Sequence, residues 1–215
     1  YWLHCEHLIV DGEKMSKSKG NFYTLRDLLD KGLSPEAIRY SLMSAHYRKQ
    51  LNFTIEGINQ SQNAIDRVND LIFRLKDIDN SNDNEINKNI LKEIEESNEK
   101  FSEAIYNDLN ISEALGIFFT LIKNINTSFY SINNESRNRI INFIERVNNI
   151  INCFNMKGES EVSNMDEKEI NKLIEERSAY KKEKDYKKAD EIRNRLLSMG
   201  IEIMDTPQGV KWKRK

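Results

Sequence analysis

Ten residues near the start of the chain, Gly12-Glu-Lys-Met-Ser-Lys-Ser-Lys-Gly-Asn21, set three lysines and two serines between two glycines. Residues of these types can work on phosphate. A lysine beside the α- and β-phosphates of a nucleoside triphosphate can neutralise charge developing on a departing pyrophosphate, while serine hydroxyls and backbone amides donate to the same oxygens. Glycines at both ends let the segment open and close, so that the charges are delivered mainly in the transition state. The spacing is not that of a Walker A loop: counted from Gly12, Lys17 stands where the second glycine should be. As bare composition, a turn rich in lysine and serine is also an ordinary solvated turn.

Other residues offer weaker chemistry. His4, Cys5 and His7 alternate along a short apolar segment, and zinc needs four convergent ligands, so they read as structural. His46 stands among Tyr47 and Arg48, where packing or an RNA-backbone contact fits better than base catalysis. Arg39, Arg48 and Lys49 could meet a polyanion or simply lie on a solvated face. Near the C-terminus, Tyr186, Asp190 and Arg193 share one helix face at i, i+4 and i+7, and Arg177, Lys181 and Lys184 share another. Unpaired bases are read by aromatic stacking and by side chains that hydrogen-bond to base edges, which this set could do. Tyr186 and Trp212 could equally be the core of a small module, and Asp205 before Thr206-Pro207 a turn-capping residue.

The elements that would carry these residues follow from pattern. His7–Val10 reads as a strand entering an Asp11-Gly12 turn. Thr24 and Asp27 form a capping box for a short helix carrying Leu25, Leu28 and Leu29, which Gly32 ends. Ser34 and Pro35 start a second helix with apolar positions Ile38, Leu42 and Ala45. Beyond Thr54 the spacing predicts four long amphipathic helices. Their stripes are Ile58, Ile65, Val68, Ile72, Leu75; Ile86, Ile90, Ile94, Phe101, Ile105; Leu115, Phe118, Ile122, Ile125, Phe129; and Ile140, Ile144, Val147, Ile151, Phe154. Four such helices with short polar connections form a bundle, and their stripes read as packing alone. Lys157–Asn164 is the best linker. Asp166 with Glu169 caps a further helix, another runs from Asp185 to Gly200, and Ile201–Met204 and Val210–Trp212 read as strands around a Pro/Gly turn. A module of about 50 residues is marginal alone, so docking or ligand binding should help to order it.

Composition agrees with a helix-rich protein: 38% hydrophobic and 32% charged residues, with two prolines and eight glycines in 215 residues. Asparagine is abundant, which reads as compositional drift. No long apolar run or basic-then-apolar start suggests a membrane span or secretory signal. Two cysteines, Cys5 and Cys153, make no disulfide framework, and a reducing cytoplasm is the simplest home. The net charge of -2 divides into +2 over residues 1–54, -7 over 55–165 and +3 over 166–215, which suits a polyanion held at both ends. Tyr1-Trp2-Leu3 opens in apolar sequence without an initiating methionine, so the chain is expected to be the later part of something longer.

The ordered string Lys14-Met15-Ser16-Lys17-Ser18 resembles the KMSKS signature of class I aminoacyl-tRNA synthetases. The flanks Trp2-Leu3-His4, Gly20-Asn21-Phe22 and Ser44-Ala-His-Tyr-Arg-Lys-Gln-Leu-Asn-Phe53 are similar to its cysteinyl members. So are Asn107-Asp-Leu-Asn-Ile-Ser-Glu-Ala114, Lys184-Asp-Tyr-Lys-Lys-Ala-Asp-Glu-Ile-Arg193 and Gly200–Trp212. The likeness spans essentially the whole chain and is weaker through the bundle.

The resemblance implies a mostly α fold: residues 1–54 as the end of a class I Rossmann-type catalytic domain with its KMSKS loop, 55–157 as a four-helix bundle, 158–165 as a linker, and 166–215 as a small α+β anticodon-binding module. It implies ATP with Mg2+, attack of the cysteine carboxylate on the α-phosphate to give cysteinyl-adenylate, then transfer to tRNA-Cys. Lys17 would contact ATP in the first step, Lys14 and Ser16 would assist, and Met15 and Ser18 would complete the ATP contact. By position, Lys181, Tyr186, Asp190, Asp205 and Trp212 match anticodon-facing residues. An arginine is common where Lys181 stands and a tryptophan where Tyr186 stands, so these two depart from the pattern. Arg39, Arg48 and Lys49 fall where related enzymes meet the inner bend of the tRNA. No HIGH tetrapeptide is present. That motif, the four zinc ligands of the complete enzyme and most of the cysteine pocket would lie upstream, so the chain would not aminoacylate alone. Two other readings stay open: a ligase relative that joins cysteine to an amino-sugar of mycothiol synthesis, which keeps the loop but lacks the tail, and a non-catalytic RNA-binding or scaffold chain.

Overall fold

The computed structural model describes residues 2–82, 84–156, 167–182, 185–198, 201–206 and 209–214. The chain divides into two compact units, Tyr1–Met156 and Lys157–Lys215.

The first unit opens with a hairpin, β1 (Ile9–Val10) against β2 (Glu13–Lys14). Asp11 and Gly12 turn the chain with φ of 51° and 78°, the doubly left-handed conformation that an Asp-Gly pair tolerates. β3 (Asn52–Phe53) pairs in parallel with the other edge of β1, giving the order β2-β1-β3. Between them lie α1 (Leu25–Asp30), begun by the reciprocal Thr24/Asp27 capping box, and α2 (Pro35–Met43), begun by Ser34, whose hydroxyl accepts from the Ala37 amide. The short apolar spacing around α2 is read differently by the structure. Ala37, Ile38, Tyr40 and Ser41 face inward, Leu42 is 44% exposed, and Ala45 lies beyond the helix end. Aromatic area outweighed the aliphatic pattern here, because Tyr40 packs edge-on against Phe119.

Four long helices follow: α3 (Ile55–Leu75), α4 (Glu85–Tyr106), α5 (Ile111–Thr127) and α6 (Asn134–Ile151). α4 packs against α5 and α6, and α3 against α2 and α6. The expected stripes are buried, except that Ile86 is exposed, Ile105 and Phe129 are half-buried, and Phe129 and Phe154 lie just past their helices. Phe118 centres the core, stacked on Phe154 at 5.5 Å and tilted against Phe143 at 6.0 Å.

Several of the asparagines are not drift. Asn84, Asn110 and Asn133 cap the starts of α4, α5 and α6, and Asn152 takes the left-handed conformation that ends α6. Each cap oxygen accepts an amide that the first helical turn would otherwise leave unsatisfied. Asn148 holds the chain after α6 by accepting from the Cys153 and Phe154 amides at 3.0 and 2.8 Å. Cys153 is buried, and burial pushes its thiol up to about 11; Cys5 is exposed.

The second unit has α7 (Glu167–Lys182), α8 (Tyr186–Ser198) and an antiparallel pair, β4 (Ile201–Thr206) with β5 (Gly209–Arg214). Its core is Ile170, Leu173, Ile174, Ile192, Leu196, Ile201 and Ile203. Arg177 is 3% exposed, on the inward stripe of α7 with Ile170, Leu173 and Ile174. The face expected to join Arg177 with Lys181 therefore does not present both to solvent: Lys181 is exposed and Arg177 is not. The proposed linker, the Asp166 cap, Lys184, Gly200 and Pro207 lie outside the described residues, as do the side chains of Glu169 and Asp205.

Candidate functional site

The lysine-serine loop is built on the hairpin. Lys14 ends β2 opposite Ile9, and Lys17–Lys19 forms one 3-10 turn that Gly20 closes with φ 71°. Asn21 ties the loop to its base: its side-chain oxygen accepts from the Ser16 amide at 2.8 Å, and its amide group donates to the Lys14 carbonyl at 3.2 Å and the Val10 carbonyl at 3.4 Å. Gly12 is fixed from the opposite strand, its N–H donating to Asn52 Oδ1 at 2.8 Å.

The three lysines are not equivalent. Lys19 is paired with Glu13 at 2.7 Å across the hairpin. Lys17 lies over the Phe22 ring, 5.3 Å from its centroid. Among the described residues neither Lys14 nor Lys17 makes an ion pair, and both are exposed. The Ser16 and Ser18 hydroxyls share one hydrogen bond at 2.8 Å, and Met15 is half-buried against the core. An anchored backbone thus carries two ammonium groups and two hydroxyls whose present bonds are weak enough to exchange for phosphate oxygens.

A second polar cluster joins the segment after α2 to the α4–α5 connection. Arg48 donates to Asp108 through Nε at 2.6 Å and through an end nitrogen at 3.2 Å, and the Tyr47 hydroxyl donates to the same carboxylate. His46 stacks on Tyr47 at 4.9 Å. Its Nδ1 accepts from the Arg48 amide, and its Nε2 lies 3.8 Å from Asp108. Asp108 and Leu109 both have positive φ, 56° and 54°, a backbone that costs energy in non-glycine residues and that this clasp helps to hold. The Arg48 and Tyr47 hydrogen bonds hold the Asp108 carboxyl down to about 2. Arg39 is committed elsewhere: its Nε donates to the Ile151 carbonyl at 2.6 Å, satisfying a C-terminal group of α6. Lys49 is exposed.

In the second unit, Tyr186 is 62% exposed at the start of α8, and Asp190 and Arg193 lie on the solvent side of the same helix. Lys181 is exposed near the end of α7. Trp212 packs against the core, and its indole N–H donates to Asn171 Oδ1 at 3.0 Å. The two aromatics therefore divide the roles left open above: Trp212 is tied into the module, while Tyr186 presents its ring to solvent.

Residues 1–63 match a family model described as the tRNA synthetases class I (C) catalytic domain, residues 100–155 a DALR domain, and residues 167–212 the cysteinyl-tRNA ligase anticodon binding domain. A cysteine--tRNA ligase of Brachyspira hyodysenteriae is 80% identical over 216 residues, covering 100% of this chain and 46% of that protein. The chain belongs to the cysteinyl-tRNA synthetase family. It is also 39% identical to the cysteine--tRNA ligase of Leptospira interrogans, over 100% of this chain and 45% of that protein, so it spans about half the length of the curated relatives it matches. Among solved structures, LeuRS in the ternary LeuRS-tRNA-LeuAMS complex from Agrobacterium radiobacter shares the fold, with a TM-score of 0.55 at 15% identity over 67% of this chain and 20% of that one.

Within this cysteinyl-tRNA synthetase chain, Lys14, Met15, Ser16, Lys17 and Ser18 fall in the segment matched as catalytic domain. Lys181, Tyr186, Asp190 and Trp212 fall in the segment matched as anticodon binding. Sequence reasoning missed Asn21 as the clamp of the loop and Asp108 as the centre of the second polar cluster. Both stood inside quoted motifs, Gly20-Asn21-Phe22 and Asn107-Asp-Leu-Asn, but their partners are reached only once the chain is folded.

Proposed function

We propose that this chain is the loop-bearing and tRNA-binding part of a cysteine–tRNA ligase, which activates cysteine with ATP and transfers it to tRNA-Cys. The observation that carries the reading is the loop: exposed Lys14 and Lys17 stand on a backbone that Asn21 anchors at the hairpin. In adenylation, a cysteine carboxylate oxygen bonds to the α-phosphorus as the bond to pyrophosphate breaks. Negative charge moves onto the leaving group, and an ammonium held there by a fixed loop stabilises it without reorganisation. Lys17 is assigned that role. Its contact with Phe22 is an exposed cation–π interaction, worth about 0.5–1 kcal/mol, which a phosphate readily displaces. Lys14 adds charge, the Ser16 and Ser18 hydroxyls can turn from each other to the phosphate oxygens, Met15 anchors the loop between them, and Lys19 closes the hairpin on Glu13.

ATP would arrive with its Mg2+. Among the described residues no group of three or more His, Cys, Asp or Glu side chains could hold a metal, and His4, Cys5 and His7 are each exposed. The zinc implied by the resemblance has no ligand set among the described residues. In the second step the terminal ribose hydroxyl of tRNA attacks the adenylate carbonyl and AMP leaves. The second unit would hold the other end of that tRNA, with Tyr186 stacking on a base, Lys181 meeting a phosphate or a base edge, and Asp190 accepting from the donors of a base edge. Asp205 and Trp212 would complete this surface. No described helix is long and apolar enough to cross a membrane, and we place the ligase in the cytoplasm.

The test is ATP–pyrophosphate exchange by the complete ligase carrying this sequence. Lys17→Ala is expected to cost about 3 kcal/mol in the adenylation transition state, on the scale of losing one preorganised charge donor. An exchange rate equal to wild type would remove Lys17 from the reaction.

A further inference from the structure

The bundle lies in the most acidic part of the chain, net -7 over residues 55–165, yet one groove on it has the opposite character. Arg67, Asp70 and Arg74 of α3 face Phe119, Lys123 and Asn126 of α5 across an open cleft of about 590 Å³. Its lining carries three cations and one carboxylate. The three are held differently. Arg67 and Lys123 are exposed and, among the described residues, in no ion pair. Arg74 is half-buried, lies 4.5 Å from the centroid of the Phe129 ring, and donates to Asn126 Oδ1 and, at 3.4 Å, to the Asp70 carbonyl. Both of those acceptors are neutral. A guanidinium fixed this way has its plane and direction set; among the described residues it is in no ion pair, and burial pulls its pKa down while the nearby Asp70 carboxylate acts the other way. Bringing an oxyanion into the cleft would relieve that cost and draw on Arg67 and Lys123 at the same time.

We propose that the α3–α5 groove is a phosphate-binding site for an RNA backbone, with Arg74 as the fixed donor and Arg67 and Lys123 as mobile flanking cations. This rests on the reading of the chain as a tRNA-binding part and adds a contact surface that the charge of the bundle conceals. The net negative charge of the surrounding bundle makes the cleft the more favourable place on it for a phosphodiester.

The experiment uses the 215-residue chain and its Arg67→Gln/Lys123→Gln double variant. Both changes are exposed and outside the loop and the C-terminal surface, and matching circular dichroism melts confirm that the fold is intact. Affinity for a tRNA with a GCA anticodon, and separately for an RNA hairpin duplex without an anticodon loop, is measured across a salt series. The Arg74 Nε–Hε resonance is followed in both titrations. The proposal expects roughly tenfold weaker binding of the variant at low salt, with the slope of log affinity against log salt shallower by about 1.5, as for two lost phosphate contacts. It also expects the Arg74 resonance to shift with both RNAs. Wild-type binding with an unmoved Arg74 resonance and identical salt slopes for the two proteins would overturn the groove and leave the tRNA reading standing. Failure of the wild type to bind tRNA, with the duplex still shifting Arg74, would overturn the tRNA reading and leave the groove. An Arg74 resonance unmoved by either RNA overturns the groove whatever else binds.

Discussion

Asn21 and Asp108 show how a single side chain can fix a stretch of backbone. Asn21 spends its acceptor on Ser16 and its donors on Lys14 and Val10. Asn21→Ala should therefore leave the hairpin folded but speed hydrogen exchange at the Ser16 amide and lower pyrophosphate exchange by at least about tenfold, since the loop loses all three of these hydrogen bonds. Asn21→Asp, which keeps the acceptor and loses the donors, should fall in between; unchanged Ser16 exchange in the alanine variant would contradict the clamp. Asp108 gives a pH signature. Its carboxyl titrates at about 2 instead of 3.8, so its contribution to stability is complete above about pH 5 and is lost as pH falls through about 2. Asp108→Asn should flatten acid unfolding in that window, and curves that superimpose with wild type would show that the clasp carries no weight. The motif from Lys14 to Ser18 was legible because its residue types stand in a recognisable order, within the segment matched as catalytic domain. Asp108 was not, because its partner Arg48 lies 60 residues away and only the bundle brings them together.

At the scale of elements, hydrophobic period and capping chemistry carried different amounts of information. The stripes of α3 to α6 were readable because buried apolar residues at helical spacing leave few alternatives. The caps were only half readable. Thr24, Ser34 and Thr54 announce helix starts by residue type, whereas Asn84, Asn110 and Asn133 vanish in a chain rich in asparagine and are identified by the amides they accept. Asn133 is the most consequential: it is 6% exposed, its side chain accepts from the Ser136 amide and donates to the Asn82 carbonyl, and its own amide donates to Asn87 Oδ1. Asn133→Ala should cost about 2 kcal/mol in urea unfolding, the upper end for a lost cap, whereas an exposed asparagine such as Asn63 changed to alanine should be near neutral. Equal losses at the two positions would return the asparagines to compositional background. Arg177 is the reverse error, a cation whose type suggested solvent but whose place on the α7 stripe put it inside.

For the whole molecule, two units with separate cores imply two unfolding events. The first has four long helices and an aromatic centre. The second closes over seven buried aliphatic residues in a segment of a size that is marginal alone. Trp212 reports the second unit, since the other tryptophan, Trp2, is 93% exposed. Tryptophan fluorescence should therefore change at lower urea than helical circular dichroism, and tRNA should move the fluorescence transition upward; coincident transitions would mean one cooperative structure. The central claim, that this chain is the loop-bearing and tRNA-reading part of a cysteine–tRNA ligase, meets its most direct test in binding. The measurement is the affinity of the 215-residue chain for tRNA with a GCA anticodon against the same tRNA with one anticodon base changed, at two salt concentrations. The account predicts a preference for GCA that survives added salt, because base readout does not depend on counterion release. Equal affinities that fall together as salt rises would contradict it.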